Sequence, residues 1–184
     1  SHPERFAELL ARATRDPRIV MLGSWALVLA EDEGMRHPLC HTTSDRMIRI
    51  QLRQGPCPFV ASTLLFRRAA ALAVGGYLDR YPNCDDYCLW ARLAERGRLA
   101  NVPRHLAVYR HQNAALRPEY ARLQAEATVE LKARYFLPTS RLEDHALRLA
   151  LKLARRRGIA RIGRDWPPGL LARHGLAELA ARRA

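Results

Sequence analysis

Phe66-Arg67-Arg68, Gly75-Gly76-Tyr77 and Asp85-Asp86-Tyr87-Cys88-Leu89-Trp90-Ala91-Arg92-Leu93 follow one another in a single stretch of a 184-residue chain. The apolar run that leads into it, Phe59 to Phe66, reads as a buried strand. Arg67 to Val74 predicts a short helix, and Gly75-Gly76 offers the residues that tolerate the left-handed turn closing one. Tyr77 to Asn83 is a loop. Asp85 to Arg96 is the best helix of the chain. Its two leading carboxylates suit the positive end of the helix dipole, and Leu89, Trp90, Leu93 and Ala94 share a face. Strand, helix, loop, helix in this order predicts an α/β fold.

Working outward, Ser1-His2-Pro3-Glu4 predicts a helix start, with Ser1 as cap, and Asp16-Pro17 stops that helix. Ile19 to Leu22 and Trp25 to Ala30 read as two strands on either side of Gly23-Ser24, followed by a turn at Glu31 to Gly34. Met35 to Ser44 reads as a loop, and Met47 to Leu52 as a short helix broken by Gly55-Pro56-Cys57-Pro58. Leu99 to Val102 and Leu106 to Tyr109 read as two short strands around Pro103. Pro118 to Tyr135 is a long helix, with a break at Pro138. Leu142 to Arg157 is a second helix, ended by Gly158, and a turn at Asp165 to Gly169 precedes a last short helix. The chain therefore divides into a mixed sheet flanked by helices (residues 1–115) and an all-helical extension (residues 116–184).

Apolar residues make up 48% of the sequence, which excludes a disordered chain. No apolar run reaches the ~20 residues of a membrane span. Four cysteines are too few for a disulfide scaffold, so a reducing, cytoplasmic setting is expected. The formal net charge is +13, and residues 146–184 carry ten basic against two acidic side chains, +8 of that total. Such a tail attracts nucleic acid, anionic lipid or an acidic partner, and charge alone does not choose among them. Leu147, Leu149, Leu151 and Leu153 with Arg148, Lys152 and Arg155 do not separate onto two faces in the sequence. Nucleic acid is disfavoured, because no recognition motif is present and the aromatics do not interleave with the bases.

Chemistry could sit at four places. Asp85-Asp86 at a helix start can hold a general base, since a like neighbour and desolvation both raise a carboxyl pKa; two helix-capping carboxylates are the plainer reading. Tyr109-Arg110-His111 at a strand end can clamp a phosphate or bind a metal, or form an ordinary turn. Cys84 and Cys88, with His37 and His41, have a spacing of four that is poor for structural zinc, while Cys40 and Cys57 read as small buried apolar residues. Arg155-Arg156-Arg157 is a solvated face or a contact with anionic lipid.

Together, the Arg pair after a strand, Gly75-Gly76-Tyr77, the acidic pair opening Tyr87 to Leu93, and the strand pair ending in Tyr109-Arg110 resemble the family 2 glycosyltransferases of bacteria. Ser1 to Phe6, Asp16-Pro17 and Gly23-Ser24 are similar to the segment after that family's metal-binding Asp-x-Asp. The resemblance implies a GT-A fold and inverting transfer of a sugar from a nucleotide sugar to a glycan or lipid-linked acceptor, in cell-wall or polysaccharide synthesis. It assigns the general base to Asp86, with Asp85 in place of the usual Glu. It assigns substrate contacts to Arg67, Gly76, Tyr77, Trp90, Tyr109 and Arg110, with Trp90 packing under the site and Arg92 paired to an acid. Cys88 stands where the family has Asp, and His111 lies one residue short of the family's metal-binding His, whose place Gln112 holds.

The resemblance further implies that residues 1–115 are the acceptor-side portion of a GT-A domain whose Asp-x-Asp lies ahead of Ser1. A divalent metal, Mn or Mg, is then expected in the full-length enzyme and no firmly bound cofactor here. The chain is expected to be inactive alone and to hold a nucleotide sugar only weakly. Peripheral attachment to the inner face of a membrane through residues 146–184 is expected as well. The alternative is a non-catalytic basic module that binds nucleic acid or an anionic membrane surface.

Overall fold

The computed structural model describes residues 1–30, 34–54, 57–81, 84–111, 118–136 and 140–173. It is an α/β structure: a four-stranded mixed sheet flanked by helices. In chain order the elements are α1 (Arg5–Arg15), β1 (Ile19–Ala30), β2 (Gly34–Leu39), α2 (Asp45–Gln54), β3 (Leu65–Phe66), α3 (Arg68–Ala73), α4 (Asp85–Ala94), β4 (Arg98–His111), α5 (Pro118–Tyr135), α6 (Arg141–Asp165) and α7 (Pro168–Arg173). β4 runs parallel to β1 along its whole length. The opposite edge of β1 is shared by β3, antiparallel at Met21–Leu22, and β2, antiparallel at Ala26–Ala30.

Two expected strands merge into one at β1. Gly23 is there for space and not for a turn: a Cβ would lie 2.7 Å from Asn101 Oδ1 and 3.2 Å from the Phe59 ring. The two short strands expected around Pro103 likewise form one strand, β4. Register shifts beside Ser24 and Trp25 absorb the proline, which cannot donate to a ladder. The expected loop from Met35 contains β2 instead, with Pro38 opposite Leu27 at the sheet edge, where its missing N–H costs least. The expected strand Phe59 to Phe66 is mostly a 3-10 turn, Ala61–Thr63, leaving only β3 in the ladder. Thr63 causes this, since its hydroxyl is spent on Val60 O (2.8 Å) and on the Ser24 backbone.

Helix ends also differ from expectation. Ser1 does not cap α1; the His2 ring accepts from Glu4 N at 3.2 Å instead. Gly158 does not end α6, which runs on to Asp165. A Cβ at Gly158 would stand 1.9 Å from Cys40 Sγ, so the glycine lets α6 lie tightly on the sheet. At the start of α6, Ser140 and Glu143 form a reciprocal capping box. The turn residues 31–33, Gly55-Pro56, Pro82 and Asn83, Gln112, Pro138 and residues 174–184 lie outside the described residues.

Two cores flank β1. Val20 and Met21 pack with Ile48 and Leu52 of α2 and with Leu89, Trp90 and Leu93 of α4. Ile19 and Leu22 pack with Leu9 and Ala13 of α1 and with Ala100, Val102 and Leu106 of β4. Trp166, fully buried just after α6, packs on Leu27 and Val108 and so closes the sheet's far end. Among the described residues no helix is long and apolar enough to cross a membrane.

Candidate active site

The Gly75-Gly76 turn is built as the sequence suggests. Both residues have positive φ, 82° and 64°. What holds it is Arg92, one of the buried charged side chains of the molecule. Its guanidinium donates to Val74 O and to Gly76 O (2.6 Å), and its Nε to Cys88 O (3.2 Å). This corrects the expected acid partner: Arg92 serves backbone carbonyls, for which a fork of fixed N–H donors is better suited than a lysine. The loop beyond the turn is tied at its other end to α5, where Glu130 accepts from Tyr81 Oη (2.8 Å) and Arg80 (3.0 Å).

So fixed, the turn presents Tyr77 to the first turn of α4, and Tyr77 Oη donates to Asp86 Oδ1 at 3.1 Å. Burial, then the Asp86 and Asp85 charges, push the Tyr77 phenol up to about 12, so it stays a donor. Asp86 is itself shifted up from the usual aspartate range. Burial is the largest cause and the Asp85 charge adds to it, while the Tyr77 hydrogen bond opposes both. Asp86 lines a cleft of about 290 Å3 together with Asp85, Tyr87, Trp90, Cys57 and Cys84, and with Gln124, Thr128 and Lys132 from α5. Trp90 packs edge-on against Phe59, and its buried indole N–H has no partner among the described residues.

The remaining expected site residues are not brought to this cleft. Arg67 braces α1 against β1, donating to Ile19 O (2.8 Å) and Ala13 O (3.2 Å). Tyr109 and Arg110 are exposed near the end of β4, opposite Val28 and Leu29, and His111 closes that strand, its side chain outside what is described. Cys84 and Cys88 pack with Tyr81 and Leu131, and Cys57, expected to be buried, is exposed. Among the described residues no three side chains of His, Cys, Asp or Glu gather where a metal ion could be held. Those residues do not fit a divalent cation.

Sequence reasoning missed three features. The first is the role of Arg92. The second is that α5 supplies a wall of the cleft: Gln124, Thr128 and Lys132, spaced by four, share one helical face, but nothing in the sequence says that this face meets α4. The third is a buried row in which His105 Nδ1 and N both lie 2.9 Å from Asp165 Oδ2, and His105 Nε2 lies 3.6 Å from Cys40 Sγ. Partial burial pushes the Cys40 thiol up to about 12, so the row is not an activated thiolate; it is a clasp between α6, β4 and half-buried Cys40, the residue after β2.

A carboxyl group with a raised pKa, held by a phenol at the edge of a cleft, can accept a proton. No protein-family model matches the chain. It is 26% identical over 156 residues to an uncharacterized glycosyltransferase of Haemophilus influenzae, an alignment that covers 84% of this chain. The chain spans 57% of the length of that relative. The chain is thus similar to a glycosyltransferase over most of its length.

Proposed function

We propose that these residues form the acceptor side of an inverting, nucleotide-sugar-dependent glycosyltransferase of the family 2, GT-A kind, with Asp86 as the general base. The observation that carries this reading is the Asp86 carboxyl itself: set in a cleft, raised in pKa, and held by Tyr77. The similarity to a glycosyltransferase supports it.

In the proposed step an acceptor hydroxyl lies in the cleft against Asp86. Its oxygen attacks the anomeric carbon of the donor sugar from the face opposite the diphosphate. As the new C–O bond forms, the bond from that carbon to the phosphate oxygen breaks, and the nucleoside diphosphate leaves with the electron pair. The hydroxyl proton passes to Asp86. A raised pKa makes Asp86 a better proton acceptor than an ordinary surface carboxylate, and the transfer contributes on the order of 10²–10⁴ in rate. Tyr77 holds one carboxylate oxygen and leaves the other for the acceptor. Lys132 offers an ammonium group to acceptor oxygens, and Trp90 packs beneath them.

The test is nucleoside diphosphate release from a panel of nucleotide sugars by the native polypeptide that carries these residues. Asp86→Asn is expected to lower turnover by about 10²–10⁴ while Asp85→Asn retains most of it. Equal activity in wild type and Asp86→Asn refutes the assignment.

A further inference from the structure

The long helix α6 has two opposite faces that its sequence alone conceals. Leu147, Ala154, Gly158 and Asp165, at spacings of seven, four and seven, are buried against the sheet. On the opposite side Leu142, Leu149 and Leu153 follow the same spacing of seven and four, and are 78%, 52% and 44% exposed. The cations Arg148, Lys152, Arg155 and Arg156 are exposed on the adjoining flank, together with Ile159, 54% exposed. Among the described residues none of these four cations pairs with an acid. Of the three acids of α6, Glu143 is engaged in the cap and with Arg53, Asp165 is in the buried row, and Asp144, one turn before Arg148, has a contact of its own.

The geometry points to α6 as a membrane-surface helix: its outward ridge of leucines lies in the headgroup layer of an anionic bilayer, with the flanking cations against lipid phosphates. Both halves of the pattern are needed. A polyanion such as duplex DNA is met by the cations alone and leaves a ridge of leucines at a polar surface, where they do nothing. An anionic bilayer takes both, because cations on long stems stay at the headgroup level while the leucines go deeper. The clasp of His105 and Asp165 keeps the inner face of α6 on the sheet, so the outer face is displayed as a preformed, rigid surface. This inference does not rest on the role given to Asp86.

Co-sedimentation with vesicles of phosphatidylcholine, with and without phosphatidylglycerol, tests it on the whole chain. The chain is expected to pellet with the anionic vesicles and to stay in solution with pure phosphatidylcholine. Replacing Arg148, Lys152, Arg155 and Arg156 by Gln should weaken binding about fivefold for each cation removed. Replacing Leu142, Leu149 and Leu153 by Ser should weaken it by about tenfold or more with the charge intact. All seven side chains are at the surface, so melting temperatures should stay within a few degrees; the single variants Leu149→Ser and Arg156→Gln serve if they do not. Asp86→Asn should pellet like wild type, which separates this outcome from the fate of the catalytic reading. Failure to pellet with anionic vesicles overturns the inference. So does binding that ignores both sets of substitutions. So does a leucine variant that binds vesicles like wild type, above all if duplex DNA competes, which would make the face a polyanion site.

Discussion

Asp165→Ala should unfasten α6. Asp165 is 1% exposed, and one oxygen, Oδ2, accepts from His105 N and His105 Nδ1, each at 2.9 Å. Its other oxygen faces Arg104 Nε and Arg161 Nη2, both at 3.5 Å. Alanine removes the acceptor and leaves two buried donors unsatisfied, at about 1–3 kcal/mol apiece. The arginines are partly exposed and can turn to water, so they add little. A loss of about 3 kcal/mol corresponds to roughly 6–12 °C in melting temperature for a chain of this size. The pH dependence gives a second reading. His105 hydrogen bonds, with Arg161 beside them, outweigh the opposing effect of burial and hold the Asp165 carboxyl below its usual range. A carboxyl depressed by folding stabilises the fold above its ordinary pKa and loses that contribution as pH falls through the folded value. The difference between wild type and Asp165→Ala, followed by thermal melts monitored by circular dichroism, should therefore be full at neutral pH and shrink below about pH 4. A variant melting within about 2 °C of wild type at neutral pH would refute the clasp.

Gly158→Ala should destabilise by about 1–3 kcal/mol, because the new methyl meets Cys40 Sγ at 1.9 Å; a Gly158→Ala, Cys40→Ala double variant should recover part of that loss in the same melts. Tyr77→Phe removes the one hydrogen bond that lowers the Asp86 pKa, so the acidic limb of a pH–rate profile should move to higher pH, and an unmoved limb counts against the contact. Arg92→Met should release the Gly75-Gly76 turn and raise proteolytic cleavage near Tyr77, since Val74 O and Gly76 O lose their donors. Asp86→Asn should raise thermal stability slightly at neutral pH. A carboxyl whose pKa is raised by folding favours the fold in acid and costs stability once ionised, so the gain should vanish as pH falls.

The α/β class and most helices were legible from local pattern. Gly75-Gly76, which lack a Cβ, and the acidic start of α4 carry their conformations in their own residue types, and α5 begins and ends where periodicity and proline place it. Three misreadings share one cause: Gly23, Pro103 and Gly158 read as punctuation in the sequence where a distant neighbour decides. Gly23 faces Asn101 and Gly158 faces Cys40, each more than 70 residues away, and Pro103 is absorbed by register shifts against β1. The Asp86 cleft was legible in half. Residues 75–90 could be grouped because they adjoin in sequence, whereas the α5 wall and the two faces of α6 depend on which side of a helix meets the sheet. Arg92 was misassigned because an arginine in a sequence suggests a carboxylate, while here the carbonyls of a left-handed turn are the nearer acceptors.

The central claim is that folding makes Asp86 a base. Carbon-detected NMR titration of its side-chain carboxyl measures this without any substrate. The account predicts a midpoint above the ordinary aspartate value of 3.8, moving higher still in Tyr77→Phe. A midpoint at or below 3.8, unmoved by that substitution, would contradict it.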